Sequence, residues 1–267
     1  MKFAYVLPDP NSYPHWGEFE GDLDCIRVCG YDAVELQIAD PEECDVSRLV
    51  SALQKARLPL CAVQTGATYA TRGNCLCTPD EAVRQRTLAL LLRFADFAEK
   101  FRSTIVFGSL QGRIKDEPDL AAGRERIVDA IQTVGRYAAQ HGIVIAYEPV
   151  NHLEVAYHHT IAEVFALVEK IALPSVRMMI DSFHMNIEEH SLTEPIPKIA
   201  SHLAHVHLSE TNRDVLGRGH LDIAGLLQAL RNVGYAGYVS VGVYNSRAPR
   251  REAIELSRQE LLSARRV

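Results

Sequence analysis

Residues 143–183 read IVIAYEPVNHLEVAYHHTIAEVFALVEKIALPSVRMMIDSF, two short apolar runs on either side of an amphipathic one. The outer runs, 143–150 and 176–183, are rich in Val, Ile and Met, as in parallel strands buried on both faces. The middle run, 160–171, opens on a threonine that can cap a helix. The stretch therefore predicts a β-α-β unit whose two strands lie parallel in one sheet.

The same alternation continues in both directions along the chain. Short apolar runs suited to buried strands occupy residues 3–7, 33–39, 60–66, 104–110, 143–150, 176–183, 203–210 and 238–245. Amphipathic runs suited to helices occupy residues 79–101, 120–142, 160–171, 222–234 and 249–266. Eight β/α units in about 250 residues are typical of the TIM barrel. We therefore predict an α/β fold, a (β/α)8 TIM barrel that forms a single domain over residues 1–267.

The alternative architecture is an open, doubly wound parallel sheet. That fold would place a glycine-rich phosphate-binding turn directly after the first strand. Residues 6–19 read VLPDPNSYPHWGEF and contain no such turn. No glycine- or serine-rich linker divides the chain, so the sequence favours the single closed barrel.

The composition narrows the classes of function. The 267 residues are 47% hydrophobic, enough for a large core, and carry a formal net charge of -6. An acidic chain lacks the basic field that binds nucleic acid or anionic membranes, so we expect neither partner. The first apolar run stops at Pro8 and no run could span a bilayer, so we expect a cytoplasmic protein. Its six cysteines include no C-x-x-C pair and are expected to be reduced thiols.

Polar residues stand where three successive predicted strands end. Glu148 ends the fifth strand, and Asp181, followed by His184, ends the sixth. His205 and His207 alternate on the seventh, so both point to one side of the sheet. In a TIM barrel these ends meet at the mouth, and two carboxylates with an imidazole suit a hard divalent ion. Singly, each residue could be a helix cap or a core histidine, but three at matching depths favour a metal site.

Three longer segments resemble one family of barrels. They are YEPVNHLE (147–154), MIDSFHMNIEE (179–189) and HVHLSETNRDVLGRGHLD (205–222). In order and spacing they resemble the xylose-isomerase-like barrels, above all the branch of D-tagatose 3-epimerase, related ketose and sugar-phosphate 3-epimerases, and hydroxypyruvate isomerase. The resemblance covers essentially the whole chain. It implies a metal-dependent isomerase or epimerase of carbohydrate metabolism, acting on a sugar or sugar phosphate, and a homo-oligomer.

The resemblance also implies roles for individual residues. The metal ligands would be Glu148, Asp181 and His207. The ion would be Mn²⁺ in the first place, with Mg²⁺ or Co²⁺ as alternatives. Glu148 would also be the catalytic base that removes a proton α to the carbonyl and so produces an enediolate. The residues in contact with the hydroxyl and carbonyl oxygens of the sugar would be Glu154, His184 and Arg213.

The eighth predicted strand departs from the family pattern. Residues 238–245 read YVSVGVYN, with Gly242 where the resemblance places a glutamate that binds the metal and acts as a second base. We expect weaker metal binding, impaired two-base epimerisation and extra space at the mouth. Carboxylates from neighbouring loops that could fill this space are Glu154, Glu188, Glu189 and Glu210.

Three functions remain open on the sequence alone. The leading one is a metal-dependent sugar isomerase or epimerase whose activity is reduced or changed by Gly242. The alternatives are a non-catalytic sugar-binding barrel and a lyase or dehydratase on a keto-polyol or glycoside, which needs one base beside a metal. An apurinic endonuclease is disfavoured, because strands two to four carry no histidines and the chain is acidic.

Overall fold

The eight strands form one closed barrel in the computed structural model, which describes residues 1–264. Each strand runs parallel to its neighbours, and the last pairs with the first to complete the ring. The strands are β1 (Lys2–Leu7), β2 (Ala33–Gln37), β3 (Leu60–Gln64), β4 (Thr104–Phe107), β5 (Ile145–Tyr147), β6 (Val176–Asp181), β7 (Leu203–Leu208) and β8 (Tyr238–Val241). Each overlaps a run predicted as a strand, and the TIM-barrel prediction is confirmed.

Helices follow the strands and surround the barrel. They are α1 (Trp16–Val28), α2 (Val46–Ala56), α3 (Ala67–Arg72), α4 (Glu81–Phe101), α5 (Leu120–Gln140), α6 (Ile161–Ile171), α7 (Ser182–Glu188), α8 (Ile196–Ile199), α9 (Ile223–Asn232) and α10 (Arg250–Ala264). The sequence predicts α4, α5, α6, α9 and α10 but misses α1, α2, α3, α7 and α8. Positions 265 and 266 of the predicted last helix lie outside the described residues. No helix within residues 1–264 is long and apolar enough to cross a membrane.

Side-chain caps fix where several helices begin. Asp80 accepts hydrogen bonds from the first turn of α4, and Asp119 does the same for α5. Thr160 caps α6, as predicted, in a reciprocal pair with Glu163, and Asp222 caps α9. Each such cap stabilises a helix by about 1 kcal/mol. Because the caps set the starts of these helices, they also fix the length of the loops at the barrel mouth.

The barrel interior has an apolar floor and a polar upper layer. Alternate residues of a strand share a face, so Ala33 points the same way as Glu35, and Met179 the same way as Asp181. The floor is a cluster of mostly small buried side chains: Ala4, Ala33, Cys61, Ala62, Val106, Ala146 and Met179. A larger apolar cluster packs the strands against the helices. Polar side chains toward the strand ends are therefore held in one layer above a closed base.

A buried hydrogen-bond cluster supports the end of β5. The Tyr147 hydroxyl lies 2.9 Å from Oε1 of Gln111 and 2.8 Å from Nδ1 of His158. Gln111 in turn donates from Nε2 to the backbone carbonyl of Glu148 over 3.3 Å. Burial lowers the pKa of His158 to about 4, and the charges of Arg124 and His159 act in the same direction. His158 is therefore neutral in the folded protein at neutral pH.

We expect His158 to weaken the fold at acid pH. Its pKa is lower in the folded than in the unfolded chain, so the unfolded chain binds the extra proton and stability falls as the pH drops through 6.5 toward about 4. The full effect is roughly 3 kcal/mol below that window. His158→Asn, which tolerates the positive φ of this position, should flatten the pH dependence of the free energy of unfolding by that amount. Urea unfolding of both proteins between pH 7 and 4 measures it, and parallel curves would contradict it.

Candidate active site

Three residues from successive strands converge at the barrel mouth. Glu148 directly follows β5, Asp181 is the last residue of β6, and His207 lies in β7 as the register partner of Asp181. Nδ1 of His207 lies 3.6 Å from Oε1 of Glu148 and 3.6 Å from Oδ2 of Asp181. All three side chains are buried, and one ligand atom from each lies within 4.8 Å of the others. The structure thus brings together the three residues predicted as metal ligands, and we name them the mouth triad.

The donor set of the mouth triad fits a divalent cation. Two carboxylates and an imidazole with ligand atoms this close together are a donor set that Mn²⁺, Mg²⁺ and similar ions take in proteins. Burial alone would raise the pKa of Asp181, but its hydrogen bond to His207 and the charge of His184 hold that pKa below its usual value. The carboxylate of Asp181 is therefore ionised and available as a ligand.

Glu35 on β2 fixes the orientation of His207. This fully buried carboxylate lies 2.7 Å from Nε2 of His205 through Oε2 and 2.8 Å from Nε2 of His207 through Oε1. Burial alone would lower the pKa of His207, but the charge of Glu35 raises it well above its ordinary value. Because Nε2 is engaged by Glu35, Nδ1 is the atom that His207 presents to the two carboxylates of the triad. A carboxylate behind a metal-binding histidine commonly orients and strengthens it as a ligand.

The strand-end pattern of the sequence does not identify Glu35 as a site residue. The signal was present, because Glu35 is a lone charged residue in the apolar run AVELQIA. His205, which the sequence places on the same side as His207, contacts Glu35 and the Ser240 hydroxyl, 3.2 Å from its Nε2. His205 is therefore part of the support beneath the mouth triad.

The three residues predicted to contact substrate lie together beside the mouth triad. Nε2 of His184 is 3.8 Å from Oε1 of Glu148 and 3.3 Å from a terminal nitrogen of Arg213. That guanidinium also lies 3.1 Å from Oε1 of Glu154. Its Nε is buried without a hydrogen-bond partner among the described residues. Arg213 thus offers an unused donor next to the mouth triad, as expected for a group that binds an oxygen of a ligand.

Of the four loop carboxylates considered as replacements at position 242, none fills that space. Glu154 pairs with Arg213, and Glu188 lies 2.7 Å from the backbone N–H of His152. Glu189 accepts from the N–H of Ile161 and Glu210 from the N–H groups of Thr211 and Gly217. Glu210 thereby organises the loop 211–221, and its position on the chain gave no indication of that role.

The space beside Gly242 is filled by an aromatic ring. A Cβ atom on Gly242 would lie 2.6 Å from Cε2 of Tyr244 and 2.8 Å from Oγ of Ser209. The Tyr244 ring also lies beside the guanidinium of Arg213, whose Cζ is 5.3 Å from the centre of the Tyr244 ring. The same Cζ is 4.0 Å from the centre of the Phe183 ring. Tyr244 therefore folds back into the space that Gly242 leaves and occupies it in place of a loop carboxylate. Nothing in the sequence of the eighth predicted strand distinguishes Tyr244 as the residue that takes this space.

A second group of potential ligand atoms lies away from the triad. Cys75, Cys77 and Asp116 have one such atom each within 4.8 Å of one another. Oδ2 of Asp116 already accepts hydrogen bonds from the Tyr69 hydroxyl and the N–H of Arg113, at 2.7 and 2.8 Å. All six cysteines are free thiols. The carboxylate of this group thus helps to hold the local fold.

Comparison with known proteins agrees with the barrel fold. The model of the xylose isomerase-like TIM barrel family matches residues 23–264. A ketose 3-epimerase of Arthrobacter globiformis is 32% identical over 222 residues, 82% of this chain and 75% of its own length. An L-ribulose 3-epimerase of Methylomonas sp. (strain DH-1) is 29% identical over 219 residues, 81% of this chain and 75% of its own.

Solved structures show the same fold. The structure of a D-allulose 3-epimerase from Methylomonas sp. in complex with D-allulose covers 100% of this chain and 96% of its own, with a TM-score of 0.86 at 21% identity. At 21% identity this likeness shows the fold alone. The family assignment rests on the family model and on the curated relatives. The chain therefore belongs to the xylose isomerase-like TIM-barrel family and is a sugar isomerase/epimerase-like enzyme.

Proposed function

We propose that this chain is a divalent-metal-dependent ketose 3-epimerase. The observation that carries the proposal is the convergence of Glu148, Asp181 and His207 in one buried group at the barrel mouth. The names of the two curated relatives, a ketose 3-epimerase and an L-ribulose 3-epimerase, support the substrate class. The substrate is then a small polyhydroxy ketone, either free or phosphorylated.

The residues of the site suit proton abstraction next to a carbonyl. A divalent ion held by the mouth triad would bind the carbonyl and neighbouring hydroxyl oxygens and stabilise the negative charge of the enediolate. The carboxylate of Glu148 takes the proton from the carbon α to the carbonyl. Arg213, His184 and Glu154 hold the sugar's oxygens, so that the carbon to be deprotonated faces Glu148.

The proposal also includes the identity of the metal ion, the oligomeric state and the cellular location. Mn²⁺ is the first choice for a site with two carboxylates and one imidazole, and Mg²⁺ or Co²⁺ would serve the same chemistry. We also propose a homo-oligomer in the cytoplasm. In its support, Ile114 and Leu153 are 56% and 72% exposed and line one surface groove beside Glu154. A second copy that covered this groove would bury both side chains at the rim of the mouth.

The proposed activity predicts metal-dependent exchange and inversion. Chelator-treated protein reloaded with Mn²⁺ should exchange the proton α to the carbonyl and form the 3-epimer in D₂O, followed by NMR over a panel of ketoses that includes ribulose and psicose. Glu148→Gln should lower the turnover by about 10²–10⁴-fold, because it removes the base. Glu42→Gln, at an exposed carboxylate, is the matched control.

Other outcomes would overturn the proposal. Loss of water from the sugar, seen as an elimination product, would indicate a lyase or dehydratase. A ketose that raises the melting temperature without exchange or product would indicate a sugar-binding barrel.

Glu35 should set the metal affinity without being a ligand. In Glu35→Gln, the anion behind His207 is lost and the two imidazoles lose a charged partner. We expect metal affinity to fall by about 10–100-fold, as for other carboxylates behind a ligating histidine. Isothermal titration with Mn²⁺ measures this directly, and circular dichroism checks that the barrel is intact. An unchanged affinity in a folded variant would show that Glu35 does not act through His207.

A further inference from the structure

Tyr244 stands where a side chain from position 242 would otherwise extend. A Cβ on Gly242 would lie 2.6 Å from Cε2 and 3.0 Å from Cζ of the Tyr244 ring. A side chain longer than alanine at position 242 would extend into the space that the Tyr244 ring occupies. The phenolic oxygen is bonded to Cζ and therefore lies at the edge of the same space. Tyr244 in this position and a carboxylate at 242 therefore exclude each other, and glycine is what the tyrosine requires.

The hydroxyl of Tyr244 is oriented from within the barrel. Nε2 of Gln64 donates to the Tyr244 oxygen over 3.1 Å and to Oε1 of Glu35 over 2.9 Å. Because the carboxylate of Glu35 requires a donor, the amide group of Gln64 must present its nitrogen on this side. Oε1 of Glu35 also contacts Nε2 of His207, so the hydroxyl is connected through two side chains to the mouth triad.

The Tyr244 hydroxyl accepts a hydrogen bond but does not donate one to the described residues. The Tyr244 oxygen accepts from Gln64, and within residues 1–264 no acceptor for its own proton is in hydrogen-bond distance. Burial raises the pKa of Tyr244 well above its ordinary value, and the charges of Asp181 and Glu35 act in the same direction. The phenol therefore carries its proton and has it free for a ligand in the mouth.

Inversion of a carbon needs a proton donor on the face opposite the base. Around the mouth, Glu154 and His184 are engaged with Arg213, and Glu210 is engaged with backbone N–H groups of its loop. Asp181 belongs to the metal-binding set. Tyr244, whose ring lies beside Arg213, combines a free proton with a fixed orientation near the mouth.

We propose, on the basis of the ketose epimerase function above, that Tyr244 is the catalytic acid that completes the inversion. The C–H bond breaks as the Glu148 carboxylate takes its proton, and the electron pair becomes part of the enediolate. The O–H bond of Tyr244 then breaks, and its proton forms the new C–H bond on the opposite face. A water molecule carries the proton from Glu148 to the phenolate, which restores both groups with no net gain or loss.

Tyr244→Phe separates this role from a structural one, because it removes the O–H and keeps the ring. In D₂O with Mn²⁺ bound, NMR measures two rates on the same ketose: exchange of the α proton and appearance of the epimer. We expect the epimer rate to fall by about 10²–10⁴-fold and the exchange rate to fall far less, since Glu148 still removes the proton. A structural role would lower both rates together. A variant that forms the epimer as fast as the original chain would overturn the proposal.

A second measurement tests the position of Tyr244 without turnover. Gly242→Ala should lower the melting temperature, because the new Cβ meets the Tyr244 ring, and should do so much less in the Tyr244→Ala background. Strictly additive effects would show that the ring does not occupy this space. Calorimetry should find Mn²⁺ affinity unchanged in Tyr244→Phe, and a loss of affinity would assign the hydroxyl to metal binding instead.

The reciprocal variant restores the acid from the other position. Gly242→Glu with Tyr244→Ala places a carboxylate where the phenol stood and should recover inversion relative to Tyr244→Ala alone, and an equally inactive pair would count against the proposal. If the original chain neither exchanges nor inverts any ketose, the proposed function fails and the role of Tyr244 fails with it. If it does both and Tyr244→Phe is unimpaired, the role of Tyr244 alone is overturned.

Discussion

The site depends on one buried anion, the carboxylate of Glu35, which bridges the imidazoles of His205 and His207. A carboxylate without water is strongly unfavourable unless charges or donors surround it, and here two imidazoles and the amide of Gln64 do so. Burial would raise the pKa of Glu35, yet the charge of His207, followed by that of His205, lowers it well below its usual value. The ionised form is thus built into the fold, and the orientation of His207 follows from it.

Barrel geometry converts this local arrangement into a reactive site. The register of β6 against β7 places Asp181 directly opposite His207, and the cluster of Tyr147, Gln111 and His158 holds the backbone of Glu148 from behind. Each group of the mouth triad is therefore held by a different strand or strand end, apart from the outer loops. That separation of scaffold and loops is what allows TIM barrels to host many reactions.

Periodic features of the sequence predict the barrel and its mouth triad, because strands, helix caps and strand-end residues have local patterns. The role of Glu35 could not be predicted in this way, because its partners His205 and His207 lie far along the chain and only the closed sheet brings them together. The position of Tyr244 could not be predicted from the sequence for a different reason. The sequence shows that Gly242 removes a side chain, but whether another group turns into the space depends on the path of the chain after β8.

In the proposed epimerase, a phenol in place of a carboxylate would also alter the electrostatics of the mouth. An ion held by two carboxylates and one imidazole is bound less tightly than one with a further anionic ligand, and more of its charge remains to polarise a carbonyl. Glu35 offsets part of the lost affinity, because an anion behind His207 strengthens the imidazole as a donor. Tyr244 adds a neutral group that donates without neutralising the ion. In the proposed mechanism Gly242, Tyr244 and Glu35 act together: the glycine admits the phenol, the phenol would serve as the proton donor, and Glu35 would support His207 as a metal ligand.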